Sequence, residues 1–261
     1  MHNLLTYCLK RAIIVIAKNK KETEKAMIKY VLFDLDGTLL PMNQNKFLSA
    51  YFKGMASHVG GLGYSPREIT QAIWDGSREM MKNDGSRTNE EIFWEAFVKI
   101  CGESVLANKP LFDSFYANGF DSIRAVTNPN AHINDVIKEL KSLGFTLAIA
   151  TNPMFPEIAT RKRIAWAGLD RCDFEFYTTY EDNVHCKPNL DYYRDVMARL
   201  GASADECVMV GNDVSEDMIA EELGMRVFLI TDCVINQNNV DISRYPNGNF
   251  DDLLKYLKEI K

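Results

Sequence analysis

The chain lacks the usual signatures of a zinc protein. Its six cysteines, Cys8, Cys101, Cys172, Cys186, Cys207 and Cys233, include no CxxC pair, and its four histidines form no HExxH set. Structural and hydrolytic zinc sites are therefore not expected. The cysteines are read as reduced thiols, which leads to the expectation of a cytoplasmic protein. There is no basic excess: 30 Lys and Arg stand against 36 Asp and Glu, a formal net charge of -6. Nucleic acid is not an expected partner, because backbone binding needs concentrated Lys and Arg. Long hydrophobic runs are missing too. The apolar stretch 12–17 (AIIVIA) falls far short of the roughly 20 residues of a membrane span, and no small-residue cleavage site follows it. Repeats and low-complexity segments are absent.

What remains is the composition of an ordinary globular enzyme or binding protein, with 46% hydrophobic and 25% charged residues among 261. Residues 1–26 are read as an N-terminal extension, native or not, with Met27 as a candidate natural start. After it comes an apolar strand over 28–35. Further apolar strands are expected at 145–150, 174–178, 207–210 and 226–230. Helical patterns at 131–143, 156–167, 189–200 and 215–223 are each followed closely by a glycine: Gly144, Gly168, Gly201 and Gly224. This alternation predicts βαβ units and a parallel sheet covered on both faces. The expected fold class is α/β, a Rossmann-like doubly wound parallel sheet. Residues 42–121 break the rhythm with helical stretches punctuated by Ser65-Pro66, Asn83-Asp84-Gly85 and Lys109-Pro110. They predict an inserted small helical domain, leaving 27–41 and 122–261 as the α/β core. Trp74, Phe93, Trp94, Phe97, Phe112, Phe115 and Tyr116 are expected to form the core of the insert.

Chemistry-bearing residues gather at predicted strand ends. The first strand ends in Asp34-Leu35-Asp36, followed by Gly37 and Thr38. Two carboxylates in one place repel unless a cation or a shared proton relieves them. The second ends in Thr151-Asn152. Lys187 lies downstream of the third, before Pro188. The fourth leads into Gly211-Asn212-Asp213, with Asp217 one helical turn on. In open α/β sheets ligands bind beyond the carboxyl ends of the strands. Each residue alone has an ordinary explanation as a turn former, helix cap or surface charge. Together they predict one polar cluster.

The ordered set of DLDGT at 34–38, Thr151, Lys187-Pro188 and GNDVSED at 211–217 resembles the haloacid dehalogenase (HAD) superfamily of hydrolases, over roughly residues 28–230. The resemblance implies phosphoryl transfer, a reaction dominated by positioning and charge stabilisation. It implies Asp34 as nucleophile and Asp36 as acid and base. Thr151, Asn152 and Lys187 would bind the phosphate, with Gly37 permitting the turn. Mg²⁺ would be held by Asp34, the Asp36 carbonyl and Asp213. Asp217 would support Lys187 or the metal's waters, and which of Asp213 and Asp217 lies closer to the metal stays open. An insert after the first strand resembles a helical type-1 cap. The expected function is a Mg²⁺-dependent phosphatase of a small phosphomonoester. The alternatives are a phosphomutase of the β-phosphoglucomutase kind and a non-catalytic phospho-acceptor module. Asp36 argues against dehalogenation, which needs no acid at that position. Oligomeric state and the identity of the substrate are not legible.

Overall fold

A computed structural model describes residues 27–261; the expectations for residues 1–26 lie outside this range. Strand β1 (Tyr30–Phe33) is followed by helices α1 (Gln44–Val59), α2 (Pro66–Met81), α3 (Asn89–Cys101), α4 (Ser104–Ala107) and α5 (Lys109–Ser114). Helical turns continue to Val126, past the expected limit at 121. Then come α6 (Ala131–Ser142), β2 (Thr146–Ile149), α7 (Glu157–Trp166), α8 (Leu190–Leu200), β3 (Cys207–Gly211), β4 (Arg226–Ile230), β5 (Asn247–Gly248) and α9 (Phe250–Ile260).

The five strands form one parallel sheet in the order β2-β1-β3-β4-β5. β1 sits between β2 and β3, and Phe33 pairs with both Ile149 and Val210. The ladder runs one step further: Asp34 N–H donates to the Val210 carbonyl at 2.8 Å and Ala150 N–H to the Phe33 carbonyl at 2.7 Å. Asp34, Thr151 and Asn212 therefore leave the sheet almost level. This register, set by three apolar strands buried on both faces, is what assembles the site.

Two expected elements differ. Residues 174–178 form no full strand. They run beside β2 through the Ile149–Tyr177 bridge and the Glu175 N–H to Leu147 carbonyl bond, directly after a 3₁₀ turn at Arg171–Asp173 that shortens the extended stretch. The helix expected at 215–223 is a 3₁₀ helix from Met218 to Leu223. Its first turn is replaced by a loop in which Asp213 Oδ1 accepts from the N–H groups of Ser215 and Glu216 at 2.7 and 3.0 Å.

The three long helices of the insert, α1 to α3, begin at side-chain caps. Ser65 with Glu68 and Thr88 with Glu91 form reciprocal capping boxes at α2 and α3. Its aromatics pack edge-to-face and tilted, as in Trp94 with Phe97 and Phe112. All seven expected core aromatics are buried except Trp74, which is 46% exposed. The two passages between insert and sheet lie side by side. Met42 and Thr127 form an antiparallel bridge, and Asn128 N–H donates to the Pro41 carbonyl at 2.8 Å.

Candidate active site

Asp34 is 7% exposed and lies at the floor of a cavity. Its Oδ1 accepts from Lys187 Nζ at 3.0 Å, and its Oδ2 from Thr38 Oγ1 at 3.2 Å. Thr38 also reaches Asn212 Oδ1 at 2.9 Å, which ties the turn after β1 to the turn after β3. Gly37 makes that closeness possible. Its φ is +95°, and a Cβ there would lie 2.4 Å from Asn212 Nδ2.

Lys187 is buried and donates to Asp217 Oδ1 at 2.6 Å as well. Burial alone would discharge its ammonium, but the charges of Asp217 and Asp34 prevail and hold its pKa well above the ordinary lysine range. Asp217 has both oxygens engaged, Oδ1 by Lys187 and Oδ2 by the Asp213 N–H at 2.9 Å. Of the two acids left open by the sequence, Asp217 is the one bonded to Lys187. Asp213 lines the cavity and uses Oδ1 for its own turn.

Asp36 lines the same cavity and pairs with an arginine. Its Oδ2 accepts from Arg163 Nη1, while its Oδ1 is buried without a hydrogen-bond partner. Burial pushes its carboxyl pKa up, and the Arg163 charge works against that rise. Arg163 on α7 is wholly buried. Its remaining donors go to Thr160 Oγ1 at 3.1 Å and the Ala159 carbonyl at 3.3 Å, and its guanidinium stacks 4.4 Å from the Phe155 ring. The sequence did not single this arginine out, because Arg161 and Lys162 beside it look the same.

Thr151 is buried at the end of β2. Its carbonyl accepts from Thr178 Oγ1 at 2.6 Å and the Tyr192 hydroxyl at 2.8 Å. This fixes the backbone and leaves the side chain at the cavity wall. Asn152 Nδ2 donates to Glu216 Oε2 at 3.0 Å, and Asn152 Oδ1 is buried without a partner. Glu216 is a second residue the sequence reading did not assign, although it lies within the quoted GNDVSED. Burial, with Asp217, Asp213 and Asp34 nearby and Lys187 opposing, pushes its pKa up to about 8.

The geometry therefore brings Asp34, Asp36, Thr151, Asn152, Asp213 and Asp217 to one cavity, with Lys187 immediately behind Asp34. The donor set suits a hard, oxygen-seeking cation. Among the described residues no three His, Cys, Asp or Glu side chains form a ready-made cage. Magnesium does not require one, since it keeps several waters and uses one or two carboxylates.

A family model described as haloacid dehalogenase-like hydrolase matches residues 28–222. The chain belongs to this family. Among HAD-like relatives, glyceraldehyde 3-phosphate phosphatase of Methanocaldococcus jannaschii is 25% identical over 90% of this chain and 99% of its own length. The fold is similar to that of 2-haloacid dehalogenase from Pseudomonas syringae pv. Tomato, at a TM-score of 0.59, 22% identity, and 89% and 99% coverage of the two chains. It is also similar to the HAD-hydrolase YfnB from Bacillus subtilis, solved bound to magnesium, at a TM-score of 0.53, 19% identity, and 89% and 99% coverage. The described part of this HAD-like hydrolase has no helix long and apolar enough to cross a membrane.

Proposed function

We propose that this HAD-like hydrolase is a Mg²⁺-dependent phosphoric monoester hydrolase working through a phosphorylated Asp34. The observation that carries this reading is the Asp34 carboxylate held between Lys187 and Thr38 at a cavity floor, with the Asp36 carboxyl two residues on. The phosphatase name of the archaeal relative supports it. Asp34, the Asp36 carbonyl and Asp213 would hold Mg²⁺, which when bound neutralises charge on the phosphoryl oxygens. A neighbour of the same fold was solved bound to magnesium, which supports the choice of cation.

Asp34 attacks phosphorus, the ester P–O bond breaks, and the leaving oxygen takes a proton from Asp36. Water then gives a proton back to Asp36 and attacks the acyl phosphate, releasing inorganic phosphate and restoring Asp34. Lys187 and the Thr151 hydroxyl face the charge that builds on the phosphoryl group. The helical insert acts as the cap that covers this site and keeps bulk water from it.

The test is phosphate release from a panel of phosphomonoesters with Mg²⁺, alongside Asp34→Asn. The variant is expected to lose at least about 10³-fold in kcat. Acid-quenched wild-type protein should carry phosphate on the peptide containing Asp34. Undiminished turnover by Asp34→Asn would remove the nucleophile assignment.

A further inference from the structure

The cavity above Asp34 has a volume of about 360 Å³, within the roughly 300–1,000 Å³ of small-molecule sites. Its reacting end is polar, whereas the wall contributed by the insert is mostly apolar, with Gln44, Ser77 and Arg78 as the exceptions beside the tyrosine hydroxyls. Tyr51, Phe52, Trp74, Trp94, Phe97 and Tyr116 are among the large rings there. Of the charged residues in the described part of the insert, Arg78 alone lines the cavity, and it pairs with Asp75 at 2.9 Å. The Tyr51 and Tyr116 hydroxyls bond to each other at 2.7 Å. A second phosphate or a carboxylate on the substrate would find a single cation on this wall, half-exposed and beside the opposing charge of Asp75. A sugar would press several hydroxyls against carbon, each losing hydrogen bonds to water without recovering them.

A second observation comes from the cavity mouth. Five large hydrophobic residues are exposed among the described residues, and two of them, Trp74 at 46% and Met81 at 45%, line this cavity. They stand seven residues apart on α2, hence on one face. The Trp74 ring lies 5.3 Å from that of Phe52. Exposed apolar surface at the rim of a cavity is one mark of a ligand-binding groove.

We propose that the substrate is a phosphomonoester of an apolar alcohol, whose hydrocarbon or aryl group lies against Phe52, Trp74 and Trp94 while its phosphate sits at Asp34. This rests on the phosphatase reading and adds the substrate class to it. Trp74 and its neighbours then determine specificity through contact with the part of the substrate that does not react.

Straight-chain alkyl phosphates test this, because their leaving groups are equally basic and differ only in apolar surface. With Mg²⁺ present, kcat/KM is measured for ethyl through octyl phosphate, glucose 6-phosphate, phosphoglycolate and acetyl phosphate. The expected result is a rise of about fourfold per methylene until the cavity is full, with octyl phosphate well above both polar esters. Trp74→Ala, at a half-exposed position, is expected to lower the octyl-to-acetyl ratio of kcat/KM about tenfold. A flat alkyl series, or preference for glucose 6-phosphate or phosphoglycolate, would overturn the substrate class and leave the phosphatase reading standing. Failure to release phosphate from every compound, acetyl phosphate included, would overturn both.

Discussion

Arg163 donates to Asp36 from the interior of the protein, 127 residues further along the chain. The guanidinium does not line the cavity. It holds the carboxyl in place and opposes the rise in pKa that burial imposes. Arg163→Met leaves the half-buried Asp36 carboxylate without its counter-charge; loss of one partner of a fully buried pair costs about 3–5 kcal/mol, and water reaching Asp36 keeps the loss below that range. Chemical denaturation is expected to show that loss. Phosphate release should fall about 10²-fold or more, because acid-base assistance depends on where Asp36 is held. Arg163→Lys should recover part of the stability and little of the rate, since an ammonium cannot span Asp36, Thr160 and Ala159 together.

Lys187 bridges Asp34 and Asp217. Lys187→Met leaves two buried carboxylates facing each other, so a loss of stability of about 3–5 kcal/mol and of kcat by about 10²–10³-fold is expected. Asp217→Asn keeps the Lys187–Asp34 contact, and its kcat should fall less than that of Lys187→Met. A larger rate loss in Asp217→Asn than in Lys187→Met would contradict the division of roles between them.

If Asp34 and Asp213 hold Mg²⁺, the cation must stabilise the folded state. At a hundredfold excess over its Kd the gain is about 2.7 kcal/mol. Thermal unfolding should shift upward on Mg²⁺ addition and return with chelator. Asp213→Asn should respond markedly less than the wild type at the same Mg²⁺ concentration.

The opposite end of the sheet carries a pH-dependent clasp. Lys29 Nζ donates to Glu206 Oε1 at 2.5 Å. That bond, followed by those from Ser203, holds the Glu206 pKa down at about 2 against an ordinary 4.5. A depressed carboxyl stabilises the fold above its ordinary pKa, and the contribution disappears as pH falls through the folded value. Glu206→Gln should therefore lower Tm near neutral pH. The gap from the wild type should close as pH falls from about 4.5 toward 2. A gap of constant size would show that the pair does not act through charge.

The apolar runs of β1, β2, β3 and β4 were legible because strands buried on both faces must be apolar along most of their length. The parallel order followed from the helices between them. β5 was not legible: its two residues, Asn247 and Gly248, carry no apolar pattern. Residues 174–178 read as a strand because their apolar pattern is that of one, yet they meet β2 through one bridge and a few main-chain bonds rather than a full ladder. At the candidate site the sequence showed which residues close neighbours and strand ends would carry. It could not show that Arg163, rather than Arg161 or Lys162, turns inward, since that depends on the tilt of α7 against β1. Trp74 stands at the cavity rather than in the core for a related reason: a helix face toward a cavity and one toward a core have the same apolar spacing.

The paired passages at Pro41–Met42 and Thr127–Asn128 constrain how the insert moves. Two chains bonded side by side form a two-ply strap, which resists twisting and sliding but bends readily across its width. A second fastening lies away from the strap, where Asn89 N–H donates to the Asn183 carbonyl at 2.8 Å and Glu90 N–H to the Tyr180 carbonyl at 2.9 Å. Bending the strap far enough to carry Phe52, Trp74 and Trp94 away from Asp34 would therefore break main-chain bonds at the start of α3. Entry of an alcohol phosphate and exit of the free alcohol would both meet that barrier.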